Sequence, residues 1–178
     1  MQRFWESSWE VIKTIAIAAI VVFGIRAVLF QPFLVSGASM EPNISQNNYL
    51  IIDELTYRFR APLRGEVVVF RYPGDSSTFY IKRIIGLPGE RVDIANGVLS
   101  INGAKVNESE YLKGIDTSGT VHLTLDSNHY FVMGDNRNNS YDSRAWGPLD
   151  KKYIVGRALL RLFPFNRVGV FEEQQYAL

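Results

Sequence analysis

The chain has 178 residues, 47% of them hydrophobic, and a formal net charge of +1. That is enough apolar material for one compact domain and an anchoring segment, and the near-neutral balance supplies no basic field for nucleic acid. There is no cysteine, which removes disulfides, thiol nucleophiles and thiolate metal sites together. The first element is the apolar run VIKTIAIAAIVVFGIRAVLF, Val11 to Phe30. As a helix it would extend about 30 Å, one hydrocarbon thickness. Lys13 and Arg26 sit near its two ends, where long side chains can snorkel to the interface. Trp5 and Trp9 precede the run and Phe30 and Phe33 close it, the placement of interfacial aromatics. Gln31-Pro32 stops the helix.

A cleaved signal peptide would want a basic start and a small-residue cleavage site. Here Arg3 is offset by Glu6 and Glu10, and FQPFLVSG is a poor site. The reading is therefore a retained single-pass transmembrane anchor within residues 1–34. Flanking charges are too sparse to orient it strongly.

From residue 35 the pattern turns strand-like. YLIIDEL, GEVVVFRY, FYIKRIIG, RVDI, GVLSI, TVHLTL, HYFVMG and YIVGRALLRLF are short, rich in β-branched and aromatic residues, and separated by Gly, Pro, Asn and Asp. Asn96-Gly97 and Asn102-Gly103 are hairpin signals. The expectation is a mainly β, antiparallel-sheet domain over 35–178 with a small hairpin region inserted at 95–127.

Familiar hydrolytic motifs are missing. Only His122 and His129 are present, and no HExxH occurs. IDTSGT, Ile115 to Thr120, superficially resembles an Asp-Thr-Gly turn, but Ser118 breaks the spacing; it reads as a polar hairpin loop. Three other stretches carry the chemistry. In VSGASMEPNI, Val35 to Ile44, Ser39 sits among small residues before Met-x-Pro, exposed on a turn just past the anchor. Taken alone, such a turn is ordinary.

In FYIKRIIGLPGE, Phe79 to Glu90, strand period two puts Tyr80, Lys82 and Ile84 on one face and Ile81, Arg83 and Ile85 on the other. An ordinary lysine titrates at about 10.4 and is no base at pH 7. Half-deprotonation there requires a fall of about 3.4, within what burial achieves. The bland alternative is a snorkelling edge lysine. Arg83, on the other face, is expected to tolerate conservative exchange. In MGDNRNNSYDSRAWG, Met133 to Gly147, Ser140, Asp142 and Arg144 are spaced by two. An extended backbone would put all three on one face, where Asp142 and Arg144 can pair and Ser140 can offer a hydroxyl to a neutral lysine. A solvated loop with a surface ion pair would explain the charges but not the ordered Asn, Asp and Gly.

Taken together, these stretches resemble the bacterial type I signal peptidases of the short, single-anchor kind. SGASMEP is similar to the family's nucleophile box, RGEVVVF to its following strand, KRIIGLPGE to its lysine box and GDNRNNSYDSR to its final box. The order agrees from the anchor to about Pro164. The resemblance implies Ser39 as nucleophile, Lys82 as general base and Ser140 orienting Lys82. Asp142 and Arg144, with Gly134 and Asp135, would hold the final box in shape. Some relatives place a serine two residues before the nucleophile to help the oxyanion hole; here that position is Gly37. The implied substrates are the signal peptides of exported preproteins, lying as an added strand and cut after Ala-x-Ala-like sequences, with no metal or cofactor. Membrane lipid is the other partner and nucleic acid is not one. The catalytic domain would lie outside the cytoplasm, on a plasma membrane or a thylakoid. Two rival readings are a self-cleaving Ser-Lys protease of the repressor type and a catalytically inactive membrane-anchored adaptor. The anchor, the lack of a DNA-binding helical domain and the final box oppose the first. The joint presence of Ser39, Lys82 and Ser140 opposes the second.

Overall fold

The computed structural model describes residues 9–20, 24, 30–108, 112 and 114–171. Residues 9–20 are helical. Among the described residues no helix is long and apolar enough to cross a membrane. The expected anchor falls partly outside the described residues, at 21–23 and 25–29.

The rest is mainly antiparallel β. The large sheet contains β1 (Phe30–Leu34), β2 (Tyr49–Asp53), β3 (Val67–Tyr72), β4 (Asp75–Gly86), β9 (His129–Met133), β10 (Leu149–Asp150), β11 (Ile154–Phe163) and β12 (Gly169–Val170). Its order is β1-β2-β11-β3-β4-β9-β10, with β12 also on β11. The second sheet contains β5 (Arg91–Ala95), β6 (Val98–Ile101), β7 (Ala104–Lys105) and β8 (Val121–Thr124), in the order β7-β6-β5-β8. Against the insertion expected at 95–127, the separate sheet starts at Arg91, because β5 pairs with β6 and β8 rather than with the large sheet. The large sheet also takes in Phe30–Leu34, which the sequence reading assigned to the N-terminal segment. Pro32 sits there on an edge strand, where its missing N–H breaks no ladder.

Strand composition explains the layering. β3 opens with the unbroken apolar run Val67–Phe70, all four residues buried, the pattern of a strand covered on both faces. Val67 and Val69 enter one core with Met40, Ile44, Leu50 and Ile52. Val68 and Phe70 enter another with Ile84, Tyr130 and Val132. A third core joins Ile85, Phe131 and Met133 of the large sheet to Val92, Ile94, Leu99 and Ile101 of the small one. The two hairpin signals behave as their chemistry requires. Asn96 and Gly97 have φ of 52° and 80°, and Asn102 and Gly103 have 53° and 84°, positive at both central positions as in a type I′ turn.

Candidate active site

Ser39 lies on the turn between β1 and β2. Gly37 before it has φ +97° with open space where a side chain would point, so its backbone conformation and not crowding favours glycine. Beyond Ser39 the chain dives into the core. Met40 and Ile44 are buried, and Ile44 N–H donates to Met40 O at 2.8 Å. From the other side Asn136 grips the turn: its backbone N–H donates to Ser39 O at 3.0 Å, and its Nδ2 to Ala38 O at 3.0 Å. The serine is thus pinned by apolar anchors behind it and by hydrogen bonds from a segment almost a hundred residues away.

Lys82 reaches this turn from β4. It pairs across the sheet with Val68, as Tyr80 does with Phe70, so Tyr80 and Lys82 share a face as strand alternation predicts. The side chain is only 4% exposed. Its Nζ lies 2.7 Å from Ser39 Oγ and 3.0 Å from Ile81 O, and 5.3 Å from the Tyr80 ring centroid. Burial pulls the lysine down to about 8, while the carboxylates of Asp142 and Asp135 act in the opposite sense from further away. Ser39 and Lys82 lie at a mostly apolar cleft of about 290 Å³, bordered by Phe33, Leu50, Val69, Ile81 and Tyr141.

The final box closes the site from the β9 side, with one change from expectation. The extended backbone ends at Asp142 (φ −144°), which caps a one-turn helix, Ser143–Trp146. Arg144 therefore belongs to helix rather than to a continued strand. The two still pair, because the arginine folds back onto the cap two residues before it: Nε to Oδ1 at 2.9 Å and Nη2 to Oδ2 at 2.8 Å. Gly134 N–H also donates to Asp142, at 3.0 Å. Burial pushes the Asp142 carboxyl up, but Arg144 and Gly134 more than reverse this and hold it below the usual carboxylate range. Ser140 helps hold that carboxyl down, yet its own buried hydroxyl meets no partner in hydrogen-bonding geometry. Gly134 is required by space: a Cβ there would come within 2.3 Å of both Ser39 O and Ser140 Oγ.

Arg83 departs from the sequence reading. It does lie on the face opposite Lys82, but it is 5% exposed. It donates to Asp135 through Nε at 2.8 Å and Nη2 at 2.6 Å, and to Gly65 O at 2.8 Å. Asn43 also donates to Asp135, at 2.8 Å. Strand alternation identifies the face but not what covers it. Asn43, Asn136 and Arg137 are residues that the sequence reasoning does not single out. The available signal was an arginine in so apolar a strand, which needs a carboxylate partner. The histidines stand apart from these residues, His122 beside Asp93 and His129 beside Asp126. IDTSGT supplies Thr117 and Ser118 as contacts for Arg137 and Arg144. Among the described residues no group of three or more histidine and carboxylate side chains is arranged to hold a metal.

The chain is similar to known proteins over most of its length. The family model described as signal peptidase, peptidase S26, matches residues 8–163. The chain is 38% identical over 175 residues to probable signal peptidase I-2 of Synechocystis sp., covering 94% of this chain and 79% of that protein. It is 40% identical over 176 residues to signal peptidase I S of Bacillus subtilis (strain 168), covering 92% and 93%. A crystal structure of a signal peptidase I from Enterococcus faecalis V583 is 31% identical and covers 55% of this chain and 97% of that one, with a TM-score of 0.49.

Proposed function

The chain belongs to the signal peptidase family, peptidase S26, whose members are serine endopeptidases, and from that premise we propose that it removes signal peptides from exported preproteins through a Ser39–Lys82 dyad. The observation that carries the reading is a buried lysine, its pKa pulled down to about 8, with its Nζ 2.7 Å from a serine hydroxyl. Neutral Lys82 takes the proton of Ser39 Oγ. The oxygen attacks the scissile carbonyl, and the Ser39 backbone N–H faces the developing oxyanion. Lysinium protonates the leaving amine, which departs with the mature protein and leaves an ester on Ser39. Lys82 then takes a proton from water, hydroxide attacks the ester, and the signal peptide leaves as Ser39 recovers its proton. Ser140, whose buried hydroxyl lies beside the Asp142 carboxylate without meeting it in hydrogen-bonding geometry, is assigned to orient Lys82, and the Asp142–Arg144 pair to brace the box.

The cleft suits an extended peptide. β1 is an edge strand, and β9 pairs with β4 only from Arg83 to Gly86. β1 and the first part of β4 meet through Phe33 and Phe79, with ring centroids 5.4 Å apart. A peptide added as a strand there has backbone partners and an apolar floor. The apolar run 11–30 is assigned to a single-pass anchor, with the domain on the extracytoplasmic side. The exposed Leu34, Tyr49 and Phe163 share one row across β1, β2 and β11. With exposed Phe165, Val168 and Val170 they give the domain an apolar margin suited to a bilayer surface.

The test is cleavage of a preprotein in detergent by wild type and by Ser39→Ala. We expect one cut after a small residue with wild type and none with the variant, both equally folded. A variant that still cuts removes Ser39 from the mechanism. A reporter fused after Leu178 should behave as exported; cytoplasmic behaviour would reverse the assigned topology.

A further inference from the structure

The inserted region touches the final box through a second arginine. Arg137 is 1% exposed. Its Nε donates to Gly134 O at 3.1 Å, and its Nη1 and Nη2 donate to the Glu108 carboxylate at 2.9 and 2.6 Å. Nη1 also meets Thr117 Oγ1, whose hydroxyl donates to Glu108 at 2.9 Å. Glu108 and Thr117 both lie in the connection between β7 and β8, well outside the sequence of the box.

What Arg137 holds matters more than how it is held. Its own segment contains Gly134, Asp135 and Asn136. Gly134 is fixed through both of its peptide groups, its N–H donating to Asp142 and its C=O accepting from Arg137. Gly134 is also the point where the box comes so near Ser39 O and Ser140 Oγ that no side chain fits. Two residues on, Asn136 N–H holds Ser39 O itself. A shift of the Gly134 carbonyl would therefore be transmitted to the Ser39 turn through Asn136. The planar guanidinium can reach Gly134 O, both Glu108 oxygens and Thr117 at once, which an ammonium could not.

We propose that Arg137 and Glu108 are a positioning pair, by which the inserted sheet sets the distance and orientation of Ser39 relative to Lys82. The proposal rests on the Ser39–Lys82 reading above. It treats the insertion as part of the machinery for the reaction and not as a separate appendage. Neither residue touches the dyad; they act through Gly134 and Asn136.

The test compares wild type, Ser39→Ala, Glu108→Gln and Glu108→Asp on one preprotein, with kcat referred to the folded fraction measured by circular dichroism. Glu108→Gln keeps the shape but turns one acceptor into a donor facing the guanidinium. We expect kcat to fall about tenfold with KM within about twofold of wild type, since small misplacements of a reacting group are felt in the chemical step. The pH midpoint should stay where it is, because the burial of Lys82 is untouched. Glu108→Asp, which keeps the charge, should recover part of the loss. An unchanged kcat per folded molecule, or a loss confined to KM, overturns the proposal. Should Glu108→Gln fail to fold, Thr117→Val removes one hydrogen bond and leaves the ion pair. It should lower kcat a few-fold, and an unchanged kcat there overturns the proposal equally. If wild type itself does not cut, or Ser39→Ala does, the dyad reading fails and this inference with it. If only the Glu108 and Thr117 variants behave as wild type, the dyad reading stands and the positioning pair falls alone.

Discussion

Lys82 and Arg83 are neighbours on β4, both cations in water, and 4% and 5% exposed in the fold. Their surroundings differ in one respect. Arg83 meets Asp135 through two hydrogen bonds, whereas Lys82, among the described residues, donates to neutral oxygens, Ser39 Oγ and Ile81 O. A guanidinium stays charged, so its burial requires the carboxylate. An ammonium without such a partner can shed its proton instead. The same strand thus carries a structural cation on one face and, in the proposed mechanism, the base on the other, and the difference lies in what each face meets.

Exchanging the two chemistries should give the largest effect. Lys82→Arg introduces a group that cannot deprotonate, and Lys82→Met removes the base while retaining most of the volume. Both should lower kcat on a preprotein by about a thousandfold or more, the upper range for a general base. An active Lys82→Arg enzyme would end the assignment of Lys82 as base. On the other face the expected loss is in stability. Asp135→Ala leaves Arg83 charged and buried without its carboxylate, a change that costs about 3–5 kcal/mol. Urea titration measures it; a loss below about 1 kcal/mol, the value of an exposed pair, would show that Arg83 is not locked as described.

The contrast also marks how far sequence reading carries. Local chemistry was legible. Asn-Gly pairs need no distant partner to adopt positive φ, and alternation alone put Lys82 beside Tyr80. The order of the motifs brought Ser39, Lys82 and the final box into one hypothesis. What was not legible is decided by tertiary neighbours. Asp135 stands 52 residues from Arg83, and nothing in the spacing of FYIKRIIG says which carboxylate will cover it. Glu108 lies in the region expected as an inserted hairpin, yet it faces a buried arginine 29 residues away. The turn into helix at Ser143 was missed because period two in SYDSR outweighed the capping aspartate at its centre. Pro32 was read as the end of a helix, its missing N–H being equally at home on a sheet edge.

A smaller effect concerns the stability of the lysine's own site. Lys82 titrates near 8 in the fold against an ordinary 10.5. Between those values the unfolded chain binds a proton that the folded chain has lost, so stability rises with pH across that window. The contribution is complete above the unfolded value and disappears as pH falls to about 8. The span corresponds to about 3 kcal/mol. At pH 7, Lys82→Met escapes this penalty but loses two hydrogen bonds, each worth about 1 kcal/mol. It should be more stable than wild type by about 1 kcal/mol, and above pH 10.5 it should be less stable. Thermal melts at the two pH values check the change of sign; a Lys82→Met protein less stable at both would mean that the buried lysine is well solvated.

The smallest effect is the pH dependence of cutting. Only neutral Lys82 can take the Ser39 proton, so below its pKa the rate should fall tenfold per pH unit and above it level off. With the lysine near 8, kcat/KM should rise about tenfold from pH 7 to pH 9. Other groups could produce a rise in that range, and Asp142 separates them. Its carboxylate favours the charged lysine, so Asp142→Asn removes a force that keeps the proton on. The same change leaves Arg144 without its carboxylate, and that extra positive charge acts in the same direction. The midpoint of the surviving activity should therefore move to lower pH even as the rate falls. A midpoint that rises would place the titration on another group, or show that Asp142 acts on Lys82 through shape rather than charge. If it moves down while the Lys82 variants are silent, the face of β4 without a direct counterion is the source of the base.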